Sequence, residues 1–344
     1  MDIARFAIYP ADRYVPVDDL ALITCYFNPS RYHTKLENYQ HFKAPIVRSG
    51  LQLWTIECAF GNDAFTLTPT PDCSNDQLIQ IRSQSILWQK ERLLNHVIQQ
   101  LPQSIQKVAW LDCDILFSNP HWAIETSAAL EEHAIVQPFM RLFRLPQGMR
   151  AYQGIGETWR SFAYVHSLDS QLVQVGNFHQ HGHTGLAWAG RRDWLARYGL
   201  YDALVSGSAD HMMAHAISGD FCSACVTRIL KESSPLRSHF LDWGQQVFEA
   251  LTSPSSDSPS SDLQPSPLGF VPGAVLHLWH GETENRQYVT RHDELMAAQF
   301  DPHHDLKQSP QGAWEWASDK PALHQWAIDY FAQRQEDGKP GEAV

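Results

Sequence analysis

Three short apolar runs, LALITCYFNP (20–29), LQLWTIECAF (51–60) and KVAWLDCDILFSNP (107–120), are separated by segments of helical length. Runs of this kind read as strands, while residues 31–46 and 83–100 repeat their apolar positions at the helical period. Strands this apolar, separated by helices, belong in a parallel sheet covered on both faces. The chain is therefore expected to be α/β, with a Rossmann-like, mostly parallel sheet and flanking helices. At 344 residues, 43% of them hydrophobic, it is long enough to bury the core such a sheet requires.

The third run breaks into Asp112-Cys113-Asp114 and then an Asn-Pro turn. On an extended strand Asp112 and Asp114 project to one side and Cys113 to the other, at the carboxyl edge where open α/β sheets bind ligands. Two converging carboxylates need a divalent cation, a Lys/Arg pair or sugar hydroxyls between them. The first strand-to-helix turn, CYFNPSRY, has no glycine. A dinucleotide fingerprint or phosphate-cradling loop is thus absent there, which argues against dehydrogenases, P-loop enzymes and sugar nucleotidyltransferases. The isolated GIGETW (154–159) reads as an ordinary turn.

Acidic residues outnumber basic ones, 38 to 26, and no Lys/Arg block occurs, so neither nucleic acid nor an anionic membrane is expected as a partner. An acidic protein that handles an anionic substrate needs a metal. No apolar stretch approaches ~20 residues, and MDIARFAIYPADRY carries charges and prolines where a signal peptide would be apolar. A cytoplasmic protein without a transmembrane segment is expected. The six cysteines fall mostly in apolar runs, as reduced core thiols do.

The second half carries three islands. HTGLAWAGRRDWLARYGLYD (183–202) reads as a strand, a helix opened at Arg191 or Arg192, and a Gly-terminated turn. In SGSADHMMAHAISG (206–219), Ser206 or Ser208 can cap a helix whose first turn holds Asp210. GAVLHLWHGETENR (273–286) reads as a strand that ends near His277 and His280. Strand alternation separates His277 from its neighbours and leaves His280 at the strand end.

The order and spacing of these pieces, from about residue 20 to 295, resemble the GT-A glycosyltransferases, among them bacterial family 2-like enzymes and the polypeptide N-acetylgalactosaminyltransferases. The resemblance implies a nucleoside-diphosphate sugar donor, UDP-linked by preference, and a glycan or other hydroxyl acceptor. It implies Mn2+ or Mg2+ on Asp114, with Asp112 on the ribose or reaching the metal through water, and His280 completing the metal set. Asp210 becomes the base of an inverting transfer, although many members carry an acidic pair where this chain has Ala209-Asp210. Tyr26, Asn28, Glu57, Lys90, Trp188 and His183 join Asp112 as donor-site candidates.

The chemistry agrees with that assignment. Expelling a diphosphate requires neutralisation of the charge it develops, which a divalent ion supplies as a Lewis acid, and a carboxylate across the site takes the acceptor proton. Carboxylate, imidazole and phosphate oxygen together suit Mn2+ better than Ca2+. The same residues would also serve a metal-dependent phosphohydrolase, or a non-catalytic nucleotide-sugar- or carbohydrate-binding protein of the same fold.

Three features stand outside this scheme. HQHGH (179–183) is expected to be a polar loop, with His183 adjoining the strand that enters the site. Cys222-Ser-Ala-Cys225 has a zinc-type spacing but no second pair and no histidine at the usual distance, so no metal is expected there. TSPSSDSPSSDLQPSP (252–267) is expected to be a disordered insertion. The expected organisation is an N-terminal extension (1–18), one GT-A domain (19–298) and a helical tail (299–344) that includes the amphipathic GAWEWASDKPALHQWAIDYF (312–331). Within the domain, 19–120 forms the nucleotide-binding half and 121–298 the acceptor half.

Overall fold

The structure, a computed structural model, describes residues 7–175, 177–252, 266–288 and 290–338. Its strands are β1 (Leu20–Tyr26), β2 (Leu53–Phe60), β3 (Asp76–Ser83), β4 (Lys107–Leu111), β5 (Ile115–Phe117), β6 (Ile135–Gln137), β7 (Arg141–Arg144), β8 (Thr158–Arg160), β9 (Ala187–Arg191), β10 (Leu268–Phe270), β11 (Ala274–His277), β12 (Leu306–Gln308) and β13 (Trp314–Trp316). Seven form one sheet in the order β10-β6-β9-β4-β1-β2-β3. Neighbours run parallel except at β9, which is antiparallel to both β4 and β6. A second sheet, β5-β11-β7-β8, stands beside the carboxyl end of β4.

The apolar runs are unbroken because both sheet faces are buried. Ile23, Ile56, Val108, Trp110 and Trp188 face one core, packed under helices Lys90–Gln100, Ala209–Ile217 and Pro235–Thr252. Leu22, Leu53, Ala109, Leu111 and Ala187 face the other, under helices His33–Arg48 and Trp122–Glu132. The period-2 alternation thus distributes successive residues of each strand between two hydrophobic cores. The expected mixed α/β architecture is the one observed.

Four local expectations differ from the structure. β3 was not anticipated: it pairs only with β2, at the sheet edge, so its face can be polar and DQLIQIRS lacks a continuous apolar run. The strand expected to carry Asp112 and Asp114 stops at Leu111, and 112–114 form a turn into β5. Ser208 stands at a helix N-cap position but does not cap; it has a left-handed backbone, and its hydroxyl accepts from Arg291 instead. The C-terminal tryptophans divide between two elements: β13 pairs with β12 in a hairpin, and the helix begins only at Pro321, where proline fits the first turn. Most of the 252–267 insertion, residues 253–265, lies outside the described residues.

The tail is bound across the amino end of the first helix. That helix has no cap from its own N-cap residue, Tyr32, and instead the Asp337 carboxylate accepts from the His33 and Thr34 N–H groups at 3.0 and 2.8 Å. The Tyr32 hydroxyl sits within 2.9 and 2.7 Å of the Phe331 and Ala332 carbonyls and accepts from the Gln335 N–H at 3.0 Å. Removing that hydroxyl should loosen the tail locally by about 1 kcal/mol. Tyr32→Phe is expected to speed amide exchange in Pro321–Gln333 several-fold and to leave exchange in β1 and β4 unchanged, as read by hydrogen–deuterium exchange.

Candidate functional site

A cleft of about 970 Å³ opens at the carboxyl ends of β1 and β4, between the two sheets. Asp114 reaches it from the turn after β4. β11 is antiparallel to β5, with His277 opposite Ile115, and the Leu278 N–H donates to the Asp114 carbonyl at 2.8 Å. This register sets both histidines against the carboxylate. His280 Nε2 lies 3.1 Å from Asp114 Oδ2, His277 Nε2 lies 3.7 Å from Oδ1, and the two imidazole nitrogens are 3.0 Å apart. His277 is thus not separated from its neighbours, as alternation predicted. The strand ends at His277, and the turn through Leu278 and Trp279 brings His280 back to the same side.

Burial dominates the electrostatics of this trio. Burial, and next the neighbouring Asp112, push the Asp114 carboxyl well above the ordinary carboxylate range. Burial also holds His277 well below the usual imidazole range and lowers His280 to about 3, with His277's next cause being His280 and His280's being Arg286. Two neutral imidazoles therefore face a carboxylate whose Oδ1 is buried without a hydrogen-bond partner. One carboxylate oxygen and one nitrogen of each imidazole lie within 4.8 Å of one another, a ligand set that a divalent ion fits. His280 is oriented from behind by the tail: Glu336 Oε1 lies 3.6 Å from its Nδ1 and accepts from Arg334 Nε at 2.6 Å. The backing of a ligand imidazole by a carboxylate is the arrangement that fixes its ring and raises its basicity.

Asp112, expected beside the same ion, turns the other way. Its Oδ1 is 2.5 Å from Lys90 Nζ, which also lies 3.9 Å from Asp210 Oδ2. Burial alone would depress the Lys90 ammonium, but Asp112 and then Asp210 overcome it and hold it well above the ordinary lysine range. The lysine therefore stays charged and ties the two carboxylates together. Asp210 stands in the first turn of its helix, where its Oδ1 accepts from the His211 N–H at 2.8 Å. A Cβ on Gly185 would come within 2.6 Å of Asp210 Oδ2, so only glycine leaves the carboxylate its place. His183 also lines the cleft; its Nδ1 accepts from the Gly185 N–H at 3.1 Å, and burial followed by Arg144 keeps the ring neutral.

The other candidates are not among the residues lining this cleft. Tyr26 is buried in the core, with its hydroxyl accepting from Asn28 Nδ2 at 3.3 Å. Asn28 closes a loop onto the Tyr32 backbone, and Trp188 is a core residue whose indole donates to the Thr184 carbonyl at 2.6 Å. Glu57 is taken up by the loop after β2. Its carboxylate accepts from the Thr66 and Leu67 N–H groups at 2.5 and 3.2 Å and from Gln80 Nε2 at 2.8 Å.

Several residues that line the cleft were missed in the sequence: His277, Arg144, Arg286, Arg334, Trp88 and Trp159. His277 was visible in HLWH, but the arginines come from distant segments that only the fold assembles. Glu91 was missed too; burial raises its carboxyl to about 8 at the cleft wall, against the pull of Lys90.

No protein-family model and no curated protein matches this chain. Among solved structures, it is similar to the catalytic domain of Drosophila β1,4-galactosyltransferase 7 in complex with xylobiose, at 14% identity and a TM-score of 0.30. The match covers 59% of this chain and 63% of that domain. Among the described residues no helix is long and apolar enough to cross a membrane.

The three donors on Glu57 make its place in the structure testable. Glu57→Ala leaves two backbone N–H groups and an amide without their acceptor and is expected to cost about 2 kcal/mol in urea denaturation, with Glu57→Gln recovering part of the loss. A Glu57→Ala variant as stable as the parent would contradict the buried-anchor assignment.

Proposed function

We propose that the chain is a metal-dependent glycosyltransferase that moves a sugar from a nucleoside-diphosphate sugar, UDP-linked by preference, to a hydroxyl acceptor with inversion. The observation that carries this proposal is the Asp114–His277–His280 trio, with its unpartnered carboxylate oxygen, in a cleft that also gathers Arg144, Arg286 and Arg334. Asp114, His277 and His280 would hold the ion. Two imidazoles beside one carboxylate favour Mn2+ over Mg2+, which prefers oxygen ligands. When bound, the ion supplies Lewis-acid neutralisation of the departing diphosphate.

The protein's own residues take the remaining roles. Guanidinium groups present paired donors to phosphate oxygens, a geometry that suits Arg144 and Arg286 for the donor's charge. Asp210 takes the proton from the acceptor hydroxyl. Lys90 bridges Asp112 and Asp210, so Asp112 serves the donor through the lysine and ribose rather than as a ligand. His183, which burial holds neutral, lines the same cleft as a second basic group. Trp88 and Trp159 give the cleft aromatic walls, of the sort on which sugar and base rings stack while water is kept out.

Mn2+ with UDP should raise the melting temperature of the wild-type chain, since a native-state ligand stabilises by mass action. Asp114→Asn is expected to lose that Mn2+-dependent rise. Glu336→Gln, which leaves the ligands in place but removes the charge behind His280, should weaken Mn2+ binding roughly 10–100-fold. An unchanged Mn2+ response in Asp114→Asn would overturn the metal assignment.

Asp210→Asn preserves shape and cannot accept a proton. Donor affinity by calorimetry should survive while transfer falls roughly a hundredfold or more. Near-normal transfer would instead mean a retaining, front-face reaction or a base at Glu91.

A further inference from the structure

Behind Asp210, outside the trio proposed to hold the catalytic ion, four more ligand-type side chains converge in the core. His211 and His215 stand four residues apart on one face of helix Ala209–Ile217, His181 ends the short helix Phe178–His181, and Cys225 lies in the first turn of helix Ala224–Ile229. All four are buried, and one ligand atom from each lies within 4.8 Å of the others. The sequence had shown one of the four, His181, in a histidine-rich loop and another, Cys225, in a solitary Cys-x-x-Cys. Neither motif alone binds a metal. The fold joins His181 of the first to Cys225 of the second and leaves Cys222 exposed.

We propose that His181, His211, His215 and Cys225 hold a structural zinc ion. Zinc in closed protein sites takes four N/S ligands in a tetrahedron, and bonds of about 2.0–2.1 Å to nitrogen and 2.3 Å to sulfur set those ligands about 3.5 Å apart. His181 Nε2 and Cys225 Sγ already stand 3.3 Å apart. The tautomers are set by partners outside the cluster. His181 Nδ1 donates to the Gly182 carbonyl at 2.8 Å, and His215 Nδ1 donates to Asp220 Oδ2 at 2.7 Å. Each ring thereby presents Nε2 inward, and His215 Nε2 is buried with no hydrogen-bond partner. Asp220 is itself fixed by the Cys222 and Ser223 N–H groups at 3.1 and 2.9 Å, so a carboxylate–histidine–metal relay is built before any ion arrives.

Burial holds His181 down to about 4 and His211 well below the usual range, so these imidazoles are neutral, as ligands must be. The Cys225 thiol, pushed up by burial to about 11, would release its proton to solvent as the zinc–sulfur bond forms. With all four positions taken by protein atoms, this ion would be structural. It would lock the helix that carries Asp210 against the loop that carries His183.

The test uses the full-length chain without a polyhistidine tag, purified without chelator and analysed for metals by mass spectrometry. About one zinc per chain is expected; Cys225→Ser and His215→Ala should fall below roughly a tenth of that, while Asp114→Asn keeps it. Because those two variants can fail to fold, wild-type protein is also loaded with Co2+ in place of zinc. A thiolate-to-cobalt charge-transfer band with tetrahedral visible bands is expected in the wild type and in Asp114→Asn. A folded wild-type chain that holds no zinc after zinc dialysis and shows no thiolate–cobalt band overturns the proposal. So does zinc lost in Asp114→Asn but retained in a folded Cys225→Ser.

Discussion

The Asp114 carboxylate is buried against two neutral imidazoles, and one of its oxygens has no partner. Burial and the neighbouring Asp112 disfavour the charge on that carboxyl, and a cation placed between it and the imidazoles would favour it, which makes Asp114 the point where the electrostatics of the cleft are decided. The short β5 strand exists to pair with β11 and deliver His277. The turn after β11 delivers His280, and the C-terminal segment returns across the whole chain to put Glu336 and Arg334 behind that ring. Three segments distant in sequence thereby meet at the His280 ring.

The chain is acidic overall, yet the cleft gathers lysines and arginines around its carboxylates. Net charge says what the protein avoids, and local charge says what it can hold. Lys90 shows the difference most plainly: set between Asp112 and Asp210, it ties up Asp112 in a salt bridge and leaves Asp114 to face the two histidines.

Much of residues 19–120 was legible because β1, β2 and β4 are buried on both faces and are therefore mostly apolar. β3 was not legible because an edge strand can carry glutamine and arginine on its open side. The Asp-x-Asp motif was found, but its geometry was misjudged. Leu111 ends the strand, and in the following turn the period-2 rule no longer applies, so Asp112 and Asp114 diverge. His277 was set aside by the same rule at the very residue where its strand ends. The meeting of His181 with Cys225, and of Arg334 and Glu336 with His280, depends on tertiary packing across as many as several elements, and no local pattern signals it. The Trp-Glu-Trp segment misled in the opposite sense: its alternation is a strand period that was absorbed into the adjoining helix.

The central claim is that the cleft's divalent ion sits on Asp114, His277 and His280, apart from Asp112. Crystals grown with Mn2+ and UDP, measured at the manganese absorption edge, test this most directly. An anomalous peak is predicted within coordination distance of all three side chains, with Lys90 still on Asp112. A peak bound instead by Asp112 and Asp210 with the lysine displaced, or the absence of any peak in the cleft at saturating Mn2+, would contradict it.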